Sequence, residues 1–147
     1  MLTSLLEPYL DKFPILHLKT PGKRGVSRAR NLGLQHIQGD VVTFPDDDCW
    51  YPSGLLESVD GFLGKHPEVD TVSGLMGPET IQPDRESPPS AGQGHYLNTP
   101  RTVAQIPGPW SLFLRRHVAQ TVGDYDETLG PGADTPWGAG EDTDYYL

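Results

Sequence analysis

The 147-residue chain is predicted to fold as an α/β domain, in which helices pack on a sheet. Segments with helical spacing of apolar residues alternate with short strand-like runs through residue 75, which is the order that produces layered helices and strands. The apolar run Val41–Phe44 is followed by three aspartates, as expected of a buried strand with a polar carboxyl end. The length suits one hydrophobic core, so we predict a single domain.

Composition and charge argue against several classes of protein. The formal net charge is -9 and the pI is near 4.8, which disfavours nucleic acid or an anionic membrane as the main partner. The single cysteine, Cys49, excludes an internal disulfide and fits a reducing compartment. We see no apolar stretch near the roughly 18 residues of a membrane span and no signal-peptide pattern. We therefore expect a cytoplasmic location without a membrane span in this chain, and leave membrane association of the full-length protein open.

The first elements are predicted as helix, strand and helix. Apolar residues recur at helical spacing from Thr3 to Leu10, and Pro14–Lys19 alternates as a strand does. After a turn rich in proline and glycine, a second helix is predicted from Ser27 to Ile37, with Ser27 as its N-cap. This helix forms the third element of the predicted layered fold.

Two arginines occupy the first turn of that second helix. Arg28 and Arg30 lie where the helix dipole disfavours cations, so a nearby anion would explain them. The alternative is that both side chains pair with surface carboxylates. The residue types alone do not decide between a ligand anion and the protein's own acids.

The middle of the chain continues the alternation and then departs from it. A helix is predicted from Pro52 to about Lys65 and a strand from Val69 to Leu75. Met76–Gln105 is punctuated by prolines and glycines and is predicted as a long loop, in which His95 is a weak candidate metal ligand. Order resumes with a predicted strand over 109–114 and a short helix over 115–122.

The aspartates Asp46, Asp47 and Asp48 form the first candidate site. Adjacent carboxylates repel one another unless a cation offsets the repulsion. Magnesium and manganese prefer oxygen ligands, and magnesium is usually held by one or two carboxylates together with substrate phosphates. The alternative is an acidic turn in water. The position directly after a buried strand favours the metal, because open sheets bind ligands at the carboxyl ends of their strands.

A second acidic pair, Glu141 and Asp142, follows a loop rich in glycine and proline near the end of the chain. We predict that a helix begins here, and its dipole should favour the ionised carboxylates. An ionised carboxylate can accept a proton from an incoming hydroxyl that lies within hydrogen-bond reach. The alternative is an ordinary acidic helix start.

Four blocks of sequence resemble the ordered motifs of family 2 glycosyltransferases. They are Gly25–Leu34, Gly39-Asp40 with Phe44–Asp48 and Pro52, Gly123–Glu127, and Gly140–Asp144. The order and spacing of these blocks are similar to those of the family, and the resemblance covers about residues 19 to 147. It implies a GT-A-like fold, which is a Rossmann-like mixed sheet flanked by helices.

The resemblance also implies the chemistry and the residues that perform it. The expected reaction is the transfer of a sugar, with inversion, from a nucleotide-diphosphate sugar to a saccharide or lipid-linked acceptor, with Mg or Mn as cofactor. Asp142 would be the base, Glu141 would hold the acceptor, and Trp137 would pack on a sugar ring. Anchoring the acidic motif on Pro52 selects Asp47 and Asp48 as metal ligands, whereas a DxD interpretation selects Asp46 and Asp48. The expected substrate-binding residues are Arg28, Arg30, Asn31, Asp46 and Trp137.

The chain departs from the family pattern at both ends. Family members begin with a strand, a helix and a second strand that ends in an acidic turn, and residues 1–147 begin after that point. The chain also stops at Leu147, within the helix predicted to begin at Glu141, so the C-terminal part of the domain is expected to be missing as well. We therefore expect a fragment, one partial catalytic domain that lacks part of the nucleotide pocket. A sugar nucleotidyltransferase, or a non-catalytic truncated module that binds a sugar or nucleotide, remains an alternative function.

Overall fold

The computed structural model of the chain describes residues 2–19, 22, 24–74 and 108–147. The predicted loop 76–105, with His95, lies outside the described residues. The structure contains the following helices and strands: α1 (Leu2–Leu6), α2 (Val26–Leu34), β1 (Val41–Val42), α3 (Leu55–Lys65), β2 (Thr71–Ser73), β3 (Leu112–Arg115), α4 (Arg116–Val122) and α5 (Glu141–Tyr146). Single turns of 3-10 helix cover Glu7–Tyr9 and Pro109–Ser111.

The three strands form one sheet in the order β1-β3-β2. The central strand β3 runs antiparallel to both neighbours, with Val42 opposite Leu114 and Ser73 opposite Leu112. Because β1 and β2 therefore run in the same direction, their carboxyl ends lie at the same edge of the sheet. The predicted α/β class, helices packed on a sheet, is confirmed, and the aspartates that follow β1 lie beyond that edge.

The core lies on both faces of β3, because successive strand residues point to opposite faces. Phe113 packs on one face with Val59 and Leu63 of α3. On the other face, Leu112 and Leu114 form a cluster with Tyr125 and Tyr145. The second cluster brings α5, which carries the predicted base, onto the sheet that carries the predicted metal ligands.

Two predicted elements differ in the structure. Pro14–Lys19 is not a strand and pairs with no other part of the described chain, and Leu16 in this segment is 62% exposed. Alternating residues form a strand only where a neighbouring backbone accepts and donates the ladder hydrogen bonds. The first predicted helix ends at Leu6 and continues as a 3-10 turn containing Pro8, because proline cannot supply the N–H that continues a helix.

The predicted N-cap of α2 is also wrong. The helix begins at Val26 with Gly25 as its N-cap, at a φ of 145°. Ser27 is instead buried inside the first turn, and its hydroxyl donates to the carbonyl of Leu129 at 2.9 Å. A serine side chain that is needed for a distant loop cannot also cap its own helix, and the positive φ explains the glycine at the cap.

Arg115 joins β3 to the end of α3, and we predict that it contributes strongly to stability. Its guanidinium donates to the carbonyls of Val69 at 2.7 Å, Leu63 at 2.7 Å and His66 at 3.0 Å. Arg115→Met keeps the aliphatic stem but removes the three hydrogen bonds that the guanidinium donates, so we expect a loss of about 3 kcal/mol in the free energy of unfolding. Urea denaturation followed by circular dichroism measures it.

Arg116→Met is the matched control for that measurement. This guanidinium is 39% exposed and pairs with Asp40, which is 93% exposed, besides donating to the carbonyl of Gln38 at 2.8 Å. Exposed pairs contribute little, so we expect a loss below about 1 kcal/mol. Equal losses in the two variants would contradict the role assigned to Arg115.

Within the residues that the structure describes, no helix is long and apolar enough to span a bilayer.

Candidate active site

The two acidic motifs meet at the guanidinium of Arg30. Its Nη1 lies 2.5 Å from Oδ1 of Asp142 and 3.6 Å from Oε1 of Glu141, and its Nη2 lies 3.7 Å from Oδ1 of Asp46. Only 10% of the arginine side chain is exposed. Acids that are 112 and 16 positions from Arg30 in the sequence therefore share one cation.

Aromatic rings form the apolar floor under this arginine. The guanidinium carbon of Arg30 lies 5.2 Å from the ring centroid of Tyr125 and 6.0 Å from that of Phe44. Tyr125 stacks on Tyr145 at 3.8 Å with an interplanar angle of 5°, and Phe44 meets both rings edge-on. A cation over aromatic faces is attracted to them, and the low polarity below strengthens its pairing with the carboxylates.

Burial raises the pKa of Asp142 above its ordinary value of 3.8. The Arg30 cation opposes this rise, whereas the negative charges of Glu141 and Asp46 add to it. A helix start was predicted to favour the ionised form, whereas burial of Asp142 acts in the opposite direction and raises its pKa. The helix has only six residues, and the loss of water around the carboxyl group outweighs the favourable charges.

The aspartates after β1 form a group that fits a divalent cation. Ligand atoms of Asp46, Asp48 and Cys49 all lie within 4.8 Å of one another. A turn that is closed by the Cys49 N–H to the Asp46 carbonyl at 3.2 Å brings them together. Two carboxylates with solvent access suit Mg or Mn, which keeps some waters and binds substrate phosphates. Partial burial and the nearby carboxylates raise the pKa of the Cys49 thiol, which leaves the oxygens as the better ligands.

Asp47 belongs to the same turn as these residues. It is exposed and lies outside the group formed by Asp46, Asp48 and Cys49. The sequence left open whether Asp46 or Asp47 joins Asp48. In the structure, the carboxylates of Asp46 and Asp48 lie in one group. The assignment of Asp47 as a ligand stays a prediction.

Glu141 is 7% exposed and lies directly against the backbone of Gly130. A Cβ atom added to Gly130 would lie 2.7 Å from the carboxyl carbon of Glu141, and the glycine has a φ of 91°. Only glycine satisfies both the backbone conformation and the close approach. Sequence reasoning missed this role of Gly130, although the glycine-rich composition of 130–140 was a visible signal.

The remaining polar side chains of α2 hold the loop that follows residue 124. Asn31 is 5% exposed; its Nδ2 donates to the carbonyl of Tyr125 at 2.9 Å, and its Oδ1 accepts from the Tyr125 N–H at 2.7 Å. Arg28 pairs with Glu127 at 2.5 Å. Both residues were predicted to bind substrate, and the structure directs both toward the protein's own loop.

A polar cavity of about 330 Å³ lies beside that loop. Its lining includes two guanidinium groups, two carboxylates and two threonines, contributed by Arg24, Arg28, Glu127, Thr128, Ala133, Asp134 and Thr135. Trp137 is 64% exposed, and its carbonyl accepts from the Gly130 N–H at 3.0 Å. Its indole ring is therefore accessible for packing on a sugar, which stays a prediction.

The sequence matches the model of a family described as glycosyl transferase family 2 over residues 2–120. The chain belongs to glycosyl transferase family 2. The matched range of this glycosyltransferase includes α2 and Asp46–Asp48 but ends before Tyr125 and α5. The contacts of Arg30, together with the packing of Tyr145 on Leu112 and Leu114, join the last acidic motif to the matched part of the chain.

A relative and the solved structures complete the comparison. Minor teichoic acid biosynthesis protein GgaB of Bacillus subtilis (strain 168) is 35% identical over 72 residues, which cover 47% of this glycosyltransferase chain and 8% of GgaB. The match therefore covers less than a tenth of that relative's length. No solved structure gives a significant match.

Proposed function

We propose that this family 2 glycosyltransferase carries out metal-dependent, inverting transfer of a sugar from a nucleotide-diphosphate sugar to a hydroxyl of a saccharide or lipid-linked acceptor. The single observation that carries the proposal is the contact of Arg30 with Asp46 and with Asp142. One acid belongs to the group that fits a cation and the other is the predicted base. Family membership supports sugar transfer, and this contact supports one shared site for the two groups.

Asp46 and Asp48 would hold the divalent cation on the donor side. When bound, the cation supplies positive charge where negative charge develops on the departing diphosphate. Arg30 lies 3.7 Å from Asp46, so its positive charge stabilises that carboxylate in the ionised form needed for a ligand. The pairing with a fixed cation also reduces the repulsion between Asp46 and the acids at the start of α5.

Asp142 would accept the proton of the acceptor hydroxyl. Arg30 occupies its Oδ1, so we assign the proton transfer to Oδ2, on a side chain that is 30% exposed. As the new bond forms between the acceptor oxygen and the anomeric carbon, the bond from that carbon to the diphosphate oxygen breaks, and its electron pair leaves with the diphosphate. The in-line displacement requires that Asp142 act on the face of the sugar opposite the departing diphosphate.

Glu141 and Trp137 would complete the acceptor side. Glu141 is buried beside Arg30 and Gly130, so its part is to hold the guanidinium and the start of α5 in place next to the acceptor. Trp137 offers an exposed indole for a sugar ring. GgaB is named for minor teichoic acid biosynthesis, and we propose that process as the first biological context to test for the whole protein.

Removal of the metal tests this proposal. The 147-residue chain is incubated with acceptors and a panel of nucleotide-diphosphate sugars, and release of the nucleotide diphosphate is followed with Mn²⁺ and after chelation. We expect turnover to fall by at least about 100-fold on chelation and to return when Mn²⁺ is added, because the leaving group loses its counter-charge. Unchanged turnover would overturn the metal dependence. Donor binding without turnover under all conditions would favour the non-catalytic module.

A further inference from the structure

We infer that Asn31 is a positioning residue, which acts through Tyr125 to hold Arg30 and the start of α5 in their reactive arrangement. This inference rests on the proposed function and replaces the predicted contact of Asn31 with substrate.

Both donor hydrogens of the Asn31 amide, and its oxygen, have partners within the protein. It exchanges two hydrogen bonds with the N–H and C=O of Tyr125, as two residues of a hydrogen-bonded strand pair do. The second Nδ2 hydrogen faces Oε1 of Glu127 at 3.4 Å. An asparagine amide has only two donor hydrogens, so neither remains for a substrate. The buried position of the side chain supports the same conclusion.

Tyr125 transmits this constraint to both members of the central ion pair. Its ring lies under the guanidinium of Arg30 at 5.2 Å and stacks on Tyr145 at 3.8 Å. Tyr145 stands three positions after Asp142 in α5, where residues at that spacing lie on neighbouring parts of one helix surface. A shift of the Tyr125 backbone would therefore displace Arg30 and Asp142 together or tilt one against the other.

The adjacent residues Arg30 and Asn31 of α2 have different roles at the site. Arg30 contacts the reactive carboxylate directly, and Asn31 fixes the loop residue on which the arginine and α5 rest. Displacement of a reacting group by about 1 Å can cost on the order of 100-fold in rate. A defect at Asn31 should consequently lower kcat and leave the affinity for the donor unchanged.

Asn31→Asp tests the inference, because it keeps the side-chain volume and the acceptor for the Tyr125 N–H. The new carboxylate loses both donor hydrogens and faces the Tyr125 carbonyl and the Glu127 carboxylate. We expect kcat to fall by about 100-fold, while the Kd of the nucleotide sugar, measured by calorimetry with Mn²⁺, changes less than about twofold (RT ln 2, under 1 kcal/mol). Gln120→Ala, on the exposed surface of α4, is the control and should change neither quantity.

Hydrogen–deuterium exchange gives a second readout that does not depend on catalysis. In Asn31→Asp the amides of α5 should exchange faster while those of α3 keep their protection, because only the support of α5 is weakened. A donor Kd that rises tenfold with kcat preserved would show a substrate contact and overturn the inference. Unchanged exchange in α5 would overturn it as well. If the parent shows no turnover, the proposed function fails, and the exchange result still decides the positioning role.

A second variant covers the case in which Asn31→Asp unfolds the whole chain, which would appear as lost protection in α3 too. Tyr125→Leu tests the second contact in the series. It keeps Asn31 and the backbone groups to which Asn31 bonds, and it removes the ring that stacks on Tyr145. We expect the same faster exchange in α5 with protected α3. Protection of α5 equal to that of the parent in Tyr125→Leu would overturn the inference.

Discussion

Asp142→Asn is expected to lower kcat for sugar transfer by about 1000-fold and to change the Kd of the nucleotide sugar by less than about twofold. The amide cannot accept the acceptor's proton, yet its oxygen can still accept the hydrogen bond from Nη1 of Arg30. The pairing geometry is thus kept while the base is removed. Steady-state release of nucleotide diphosphate and calorimetric donor binding measure the two quantities.

Asp144→Asn is the matched control, because it removes an acid from the exposed surface of the same helix two positions away. It should keep the parent's kcat within about twofold, as substitutions of exposed residues usually do. Turnover that survives in Asp142→Asn, or an equal loss in both variants, would remove Asp142 as the base.

The pH dependence of kcat/KM should also reflect Asp142 as the base. The pKa of Asp142 is raised above 3.8 by burial, so the ionised base is lost as pH falls through a value above 3.8, and kcat/KM should decline there. Glu141→Gln removes one of the negative charges that raise this pKa. The acid limb of the profile should therefore move to lower pH in that variant, and a limb that moves upward would contradict the assignment.

The carboxyl group also affects stability in a defined direction. Its folded-state pKa is raised, so the folded protein binds this proton more tightly than the unfolded chain does. The contribution of Asp142 to stability is accordingly largest below pH 3.8 and falls as pH rises through the raised pKa. Near neutral pH, the ionised carboxylate of Asp142, which the proposed reaction needs as its base, therefore lowers the stability of the fold somewhat.

Asp48→Asn and Asp46→Asn are expected to weaken Mn²⁺ binding by about 100-fold, and Asp47→Asn to change it less than about threefold. The first two remove a ligand oxygen from the group whose atoms lie within 4.8 Å, and Asp47 lies outside that group. Because all three variants remove one negative charge from the same turn, their comparison separates ligation from general electrostatic attraction. Mn²⁺ titration followed by electron paramagnetic resonance measures the Kd of each variant.

The three aspartates thus distinguish the two alignments of the motif. Strong loss in Asp47→Asn with normal binding in Asp46→Asn would support the alignment anchored on Pro52 and contradict the arrangement around Arg30. Equal, small losses in all three would indicate a diffuse acidic surface that does not coordinate the ion. Sugar transfer with Mn²⁺ at a saturating concentration should partly restore turnover in the weakened variants, because mass action refills the site.

The partners of the two arginines at the start of α2 could not be predicted from the sequence near them. Their position in the first turn predicted a nearby anion, and the sequence left open whether that anion belonged to a ligand or to the protein. In the structure Arg28 pairs with Glu127 and Arg30 pairs with Asp142, so the protein supplies an anion for each. These partners are 99 and 112 positions away from their arginines in the sequence. Helical spacing relates only residues a few positions apart, so it cannot predict such pairs.

The family, the α/β class and the two acidic motifs can be predicted from the order of the residues alone. Short-range spacing is enough for these, because helix and strand periodicity and motif order are properties of neighbouring residues. Three features became visible with the fold: Asp46 and Asp142 share Arg30, Asn31 bonds to the backbone of Tyr125, and the pKa of Asp142 is raised. Pairing across the chain and the removal of water from a carboxyl group depend on what the fold places around each side chain, so neighbours in sequence do not specify them.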